Sequence, residues 1–364
     1  MEEVNVYQDL QKHLNKQPIG FPATESGAEI RLLKRFFSPE EARLAMRLSY
    51  KPQPAASVYE TAGDLKMSQP EMENMLDRMA RNGVVGHLER EGVRYFYNLP
   101  LVVGMYEWQL NKLTPEFLAD MREYTSQKAF GMEFLSTKVP QMRTIPVGKS
   151  IPIKSQVTSY NDLTEIIKNN DGPIVIIECI CRKATGMRGQ TCKQTKRLET
   201  CMALGDWAKN CIRAGMGRSI GKEEALEIIR QNEADGLVLQ PSNTQKVEFV
   251  CSCCGCCCGM LNIVKRLPKP VEFWSSSYYA AVNSQDCNAC GNCIERCQIG
   301  ALSLDEVRGF ASVNLDRCLG CGNCIDSCPT EAIHLIRKEQ EIVPPLDTED
   351  LYETILANKK RSPR

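Results

Sequence analysis

The first 178 residues of this 364-residue chain contain no cysteine, and the whole chain has only three histidines, His13, His87 and His334. Each histidine is far in sequence from any paired nucleophile, which argues against hydrolytic catalysis. No apolar run approaches the length of a membrane span; Ile174 to Ile177 is enough for one short strand. Neither sign of charge is in excess, with 45 Lys+Arg against 45 Asp+Glu, so no global field points to nucleic acid or a membrane. The opening MEEVNVYQDL has no basic segment followed by an apolar one, so no secretory leader is expected and the expected location is the cytoplasm. A phosphate-binding Walker loop and a strand-borne GxGxxG are both missing. The glycine-rich stretch Gly215 to Gly221 lies between expected helices and lacks phosphate-loop order, so neither a flavin nor a nicotinamide site is expected.

What the chain has in excess is cysteine, nineteen in all, confined to the stretch from Cys179 to Cys328. Disulfide-dense proteins are usually small and secreted, whereas this chain is large, so thiolate–metal chemistry is the better expectation. At this length two or three domains are expected, with an apolar content of 43% that is ordinary for a globular protein.

The chain is expected to be a multidomain α+β protein. Residues 1–145 read as helical, with a hairpin. Ile30, Leu33 and Phe37 share one helical face. Ser38-Pro39-Glu40-Glu41 and Ser68-Gln69-Pro70-Glu71 are helix starts, each with a capping serine and a glutamate three residues on. Asn82-Gly83 closes the second helix. Val84 to Leu88 and Val93 to Leu99 then read as strands around Arg90-Glu91-Gly92. Segment 55–99 resembles the winged-helix regulators of the MarR type. Across 69–82, however, Glu71, Glu73 and Asp77 outweigh Arg78 and Arg81, a poor match to phosphate, so docking or self-association is expected rather than nucleic-acid binding.

Residues 146–160 read as a linker and 146–275 as a cysteine-rich metal-binding domain. It should contain a helix from Asp162 to Asn169, a strand from Ile174 to Ile180, and helices over Leu198 to Ala214 and Lys222 to Asn232. Residues 276–340 form a third domain, and 341–364 a C-terminal helix, from Thr348 to Ala357, with a basic tail.

Within 276–340 the spacing is specific. Cys287-x2-Cys290-x2-Cys293-x3-Cys297 is followed by Cys318-x2-Cys321-x2-Cys324-x3-Cys328-Pro329. The copies align beyond their cysteines, CNACGNCIERCQIGAL against CLGCGNCIDSCPTEAI, so this is an internal repeat. Both have the spacing of the bacterial ferredoxin motif, in which a tight loop offers three thiolates to one [4Fe–4S] cluster and the fourth cysteine reaches the other. Cys287, Cys290, Cys293 and Cys328 are thereby assigned to one cluster, and Cys318, Cys321, Cys324 and Cys297 to the second. Small residues at Ala289, Gly291, Gly320 and Gly322 should let backbone N–H groups approach the sulfurs. Ile294, Ile299, Leu302, Leu319, Ile325 and Ile333 should exclude water. Gln298 stands where the second copy has Pro329, a departure that removes no ligand. Residues 283–338 hold seven acids and five bases, a mild balance that suits a fixed place in an assembly better than free diffusion.

Among the other eleven cysteines, Cys211 reads as a core residue. The rest, Cys179, Cys181, Cys192, Cys201, Cys251, Cys253, Cys254, Cys256, Cys257 and Cys258, are too dense for packing alone and are candidates for one or two further iron–sulfur or zinc sites. Period-two geometry would put Cys179 and Cys181 on one face of a strand. Spacing does not decide which four ligate. Arg182 and Lys183 either lower thiolate pKa or form a solvated cap.

Taken whole, the chain resembles a family of bacterial 4Fe–4S dicluster proteins of anaerobes, with a winged-helix-like N-terminal region, ECICRK, LETC and CSCCGCCCG motifs, and a C-terminal ferredoxin repeat. The resemblance implies iron–sulfur binding and electron transfer but no particular substrate. The expectation is an electron-transfer component carrying two [4Fe–4S] clusters and a third, middle-domain cluster (zinc being the alternative metal). Its expected partners are redox proteins, a multi-subunit oxidoreductase being one setting, and the N-terminal domain offers a route to homo-oligomers. The alternatives are an oxidoreductase with a catalytic middle-domain cluster and a redox-sensing winged-helix regulator.

Overall fold

A computed structural model describes residues 2–150, 159–340 and 342–359, so most of the expected linker lies outside the described residues. The chain divides into two compact units. One comprises Met1–Thr137, Lys209–Met216 and Tyr352–Arg364; the other comprises Lys138–Ala208 and Gly217–Leu351. The segments 146–275 and 276–340, expected as separate domains, thus lie largely within one unit, and a short stretch of the former belongs to the other.

The first unit opens with α1 (Glu2–Leu14), α2 (Ala28–Phe36) and α3 (Pro39–Ala45). A reciprocal pair starts α3: the Glu41 N–H donates to Ser38 Oγ at 3.2 Å, and the Ser38 N–H donates to Glu41 Oε2 at 2.9 Å. There follow β1 (Gln53–Pro54), α4 (Ala55–Thr61), α5 (Gln69–Arg81), β2 (Val85–Arg90), β3 (Val93–Asn98), α6 (Pro115–Ser126) and α7 (Lys128–Phe134). Strands β2 and β3 pair antiparallel through a turn in which Glu91 and Gly92 both have positive φ, and β1 adds to the free edge of β3. The acids of α5 are engaged within the unit, Asp77 with Arg94 at 2.6 Å and with Arg213 at 3.2 Å, and Glu73 with Arg94. Met72, Leu76 and Met79 of α5 are fully buried with Phe96 and Phe117.

The second unit is built on an antiparallel five-stranded sheet. Its elements are α8 (Leu163–Lys168), β4 (Ile174–Glu178), α9 (Ile180–Met187), β5 (Glu199–Leu204), the start of α10 (Gly205–Arg213), β6 (Arg218–Ile220), α11 (Lys222–Ala234), β7 (Val238–Pro241), β8 (Phe249–Cys253) and α12 (Gly259–Arg266). The strand order is β6-β4-β5-β8-β7. Ile174, Ile176, Met202, Leu204, Leu239 and Val250 on one face bury Ile167 of α8 and Ile228 and Ile229 of α11. The chain continues through β9 (Tyr278–Val282), α13 (Asn292–Arg296), β10 (Leu302–Asp305), β11 (Phe310–Val313), α14 (Asn323–Asp326), β12 (Ile333–Arg337) and the start of α15 (Thr348–Asn358), most of which belongs to the first unit. Strand β10 pairs with β11 and β9 with β12, so each copy of the repeat is a short helix followed by a strand of a two-stranded ribbon.

Two expectations are corrected here. The helix read over Leu198 to Ala214 is strand β5 followed by α10: ladder partners on both sides, β4 and β8, override the helix-forming Leu, Met and Ala of that stretch. Strand β4 ends at Glu178, so Cys179 caps α9 and Cys181 lies in its first turn; they do not alternate along a strand.

The sheet's far end is held by Asn232 of α11, which is fully buried. Its amide donates to the Thr200 carbonyl at 3.0 Å and to Ser252 Oγ at 2.9 Å, while its oxygen accepts from Arg197 at 2.9 Å. Removing it strands these groups in the interior. We expect Asn232→Ala to lower stability by about 1–3 kcal/mol, read as a shift of the urea midpoint at unchanged slope.

Candidate metal centre

None of the nineteen cysteines is paired in a disulfide. Those of the repeat converge in two groups. Cys293 is surrounded by Cys287, Cys328 and Cys290; burial first, and then these neighbours, push its thiol up. Cys324 is likewise pushed up by burial and by Cys321, Cys318 and Cys297, with Cys293 of the other group next in line. The fourth cysteine of each copy is thus among the groups that act on a thiol of the opposite copy. Ala289, Gly291, Gly320 and Gly322 all take positive φ, the same bend at matching points of the two loops. Backbone N–H groups donate to the thiols, from Ala280 to Cys318 at 3.3 Å, Ala301 to Cys297 at 3.2 Å and Ala311 to Cys287 at 3.4 Å. Ile299, Leu302, Leu319 and Ile333 are buried. Four thiols with donated N–H bonds and an apolar surround fit the donor set an iron–sulfur cluster requires.

The ten middle cysteines separate into two sets. Cys192, from the loop after α9, meets Cys254, Cys256 and Cys257 of the turn between β8 and α12, with all four sulfurs within 4.8 Å of one another. The closest approaches are 3.6 Å for Cys192–Cys254, 3.7 Å for Cys192–Cys256 and 3.6 Å for Cys256–Cys257. Four thiolates placed tetrahedrally at 2.3 Å from one ion would stand about 3.8 Å apart. The group thus fits a single tetrahedral ion and is too tight for the corners of a cubane. Burial alone would raise the Cys192 thiol, but N–H groups of Thr195 and Gln194 and the thiols of Cys254 and Cys256 hold it at about 7.

The second set is a closed chain of thiol contacts running Cys179–Cys181–Cys258–Cys253–Cys251–Cys201 and back to Cys179. Cys179, Cys253 and Cys258 are buried, whereas Cys181, Cys201 and Cys251 are half-buried. Arg182 is 3% exposed and is no solvated cap. Burial would lower its pKa, but Cys179 and Cys201 of this set and Cys254 and Cys192 of the other raise it. Lys183 is partly exposed and pairs with Glu178 at 2.7 Å. Cys211 joins neither set; it is buried on α10, and burial pushes its thiol up to about 12.

Gln298 does more than replace a proline. Its buried Oε1 accepts from the Gly255 N–H at 2.9 Å, which links the residue after Cys297 to the residue between Cys254 and Cys256. The departure from the repeat was visible in sequence, but its partner lies 43 residues away and was not.

A family model for a 4Fe–4S dicluster domain matches residues 286–332. No curated protein and no solved structure matches the chain. The match and the cysteine cluster together suggest iron–sulfur electron transfer by a ferredoxin-type segment. Among the described residues no helix is long and apolar enough to cross a membrane.

A Cβ at position 255 would land on the carbonyl oxygen of Gln298. Gly255→Ala should therefore separate the turn from the repeat and at least halve the metal bound by the Cys192 group, measured as zinc and iron per chain. Unchanged metal content would show that the turn holds its ion without this contact.

Proposed function

We propose that this chain moves single electrons through two [4Fe–4S] clusters held by residues 287–328, as a fixed component of a larger redox assembly. The observation that carries the proposal is the exchange of fourth cysteines: Cys328 acts on Cys293 together with Cys287 and Cys290, and Cys297 acts on Cys324 together with Cys321 and Cys318. These are the ligand sets we assign to the two clusters. When bound, each cluster accepts and returns one electron.

The chain's own residues supply three things. N–H groups of Ala280, Ala301 and Ala311 stabilise sulfur when its negative charge grows on reduction. Ile299, Leu302, Leu319 and Ile333 keep water from the sulfurs. The remaining element is positional: the Cys293 thiol of one group is among those that push the Cys324 thiol of the other up, which supports neighbouring groups.

The Cys192 group would hold one metal ion by four thiols within the same unit, a closed donor set that supports a structural or relay role over substrate binding. The Gln298–Gly255 hydrogen bond couples that centre to the cluster served by Cys297. The partner is a redox protein that meets the most exposed ligand, Cys290.

On protein purified without oxygen, the dicluster segment should contribute about eight irons and eight acid-labile sulfides per chain. After reduction with dithionite, Cys290→Ser and Cys321→Ser should each lack one reduced cluster's low-temperature paramagnetic signal and retain the other. Full signal from both clusters in either variant would defeat the ligand assignment.

A further inference from the structure

The six thiols outside the Cys192 group are arranged by backbone geometry. Cys251 and Cys253 are two residues apart on β8 and so project from one face. The antiparallel register of β5 with β8 pairs Met202 with Val250, and one step further along the ladder brings Cys201 opposite Cys251. Helix α9 begins at this face with Cys179 as its N-cap and Cys181 in the first turn, and α12 begins there with Cys258 as its N-cap. Two eight-residue helices thus point their N-terminal N–H groups at one thiol ring, and Cys258 receives bonds from the N–H groups of Met260 and Leu261. That arrangement favours negative charge on sulfur.

Two orphaned polar groups adjoin the ring. Gln240 is directly paired with Cys251, so both side chains project from the same face of the sheet. It is fully buried, yet neither its Nε2 nor its Oε1 has a hydrogen-bond partner among the described residues. Arg182 donates to Thr200 Oγ1 and to the Ser252 carbonyl, but its Nε is also without a partner. Buried amides and guanidinium groups are rarely left unpaired.

We propose that Cys179, Cys181, Cys201, Cys251, Cys253 and Cys258 form a second, separate centre that binds two or more thiophilic metal ions. The count of donors carries the nuclearity. One tetrahedral ion takes four thiolates, and the Cys192 group already supplies such a set. Six thiols in one closed ring are more than one ion uses, whereas two tetrahedral ions sharing two thiolates use six. Iron ions bridged by sulfide meet the same requirement and also give Gln240 and Arg182 an acceptor. One buried guanidinium cannot offset six thiolates, so once deprotonated the ring needs metal cations. This centre goes beyond the electron-transfer reading of the dicluster segment and does not depend on it.

The experiment compares the full chain with Cys201→Ser, Cys258→Ser and Cys192→Ser, all purified without oxygen, by iron, zinc and sulfide per chain. Cys201→Ser and Cys258→Ser should each lose about two or more metal atoms while retaining both paramagnetic signals of the dicluster segment; Cys192→Ser should lose about one. Loss of iron with matching sulfide identifies an iron–sulfide centre, and loss of zinc without sulfide a thiolate-bridged zinc pair; both support the proposal. Metal content equal to the parent's, or loss of a single atom, overturns it. The unaltered chain gives a second reading that needs no variant. Under native conditions the six cysteines should resist alkylation and become reactive together after chelation, and free reaction of all six before chelation overturns the proposal.

Discussion

The crowding of thiols is the constraint on which the second unit depends. Eighteen of the nineteen cysteines, all but Cys211, stand in sets of four or six. Two thiolates 3.6 Å apart, as Cys192 and Cys254 are, would repel by about 4–5 kcal/mol at an effective dielectric near 20. Such sets survive only if protons or cations neutralise them. Protons are one answer: burial pushes Cys254 and Cys321 each up to about 12, so these thiols keep their hydrogens without metal. Metal ions are the other, displacing those protons and tying together segments distant in sequence. Leu237 is the aliphatic residue in the buried cluster around Cys254 and Cys257, where the other members are cysteines.

How far the sequence disclosed this depends on how local each site is. The ferredoxin spacing is legible because three thiols of each group come from one loop. The middle sets were not separable, because the run from Cys251 to Cys258 feeds both. Cys251, Cys253 and Cys258 turn toward Cys179, Cys181 and Cys201, while Cys254, Cys256 and Cys257 turn toward Cys192. The division follows secondary structure: β8 ends at Cys253, the turn holds the next set, and α12 begins after Cys258. Helix starts at Ser38 and Ser68 were readable from capping chemistry, which is local. Strand β5 was not, since its identity comes from neighbours on both sides.

The repeat and the sheet are joined at the end of α11. Arg296, the residue before Cys297, donates to the Glu233 carbonyl at 3.1 Å and the Ala234 carbonyl at 2.6 Å, closing the helix's last turn. Asn323, before Cys324, donates to the Gly236 carbonyl at 3.0 Å, and the Val147 N–H donates to the Cys321 carbonyl at 3.0 Å. Each contact involves a cysteine of the repeat or its immediate neighbour. Hydrogen bonds at several points thus fix the repeat to the end of α11.

Arg182 gives the middle segment its electrostatic character. A guanidinium does not lose its charge within the physiological range, and here it is buried, held by Thr200 and Ser252, with thiols of both sets around it. A permanent cation in that position lowers the cost of net negative charge on either set. Four thiolates around a divalent ion leave two negative charges, and six around two such ions again leave two. One arginine between them, aided by the N-termini of α9 and α12, offsets part of each. A lysine there would be a poorer choice, because burial would let it shed its proton. The arrangement thus favours anionic metal–thiolate groups over neutral thiols, consistent with ten cysteines whose two sets differ in size but share one counterion.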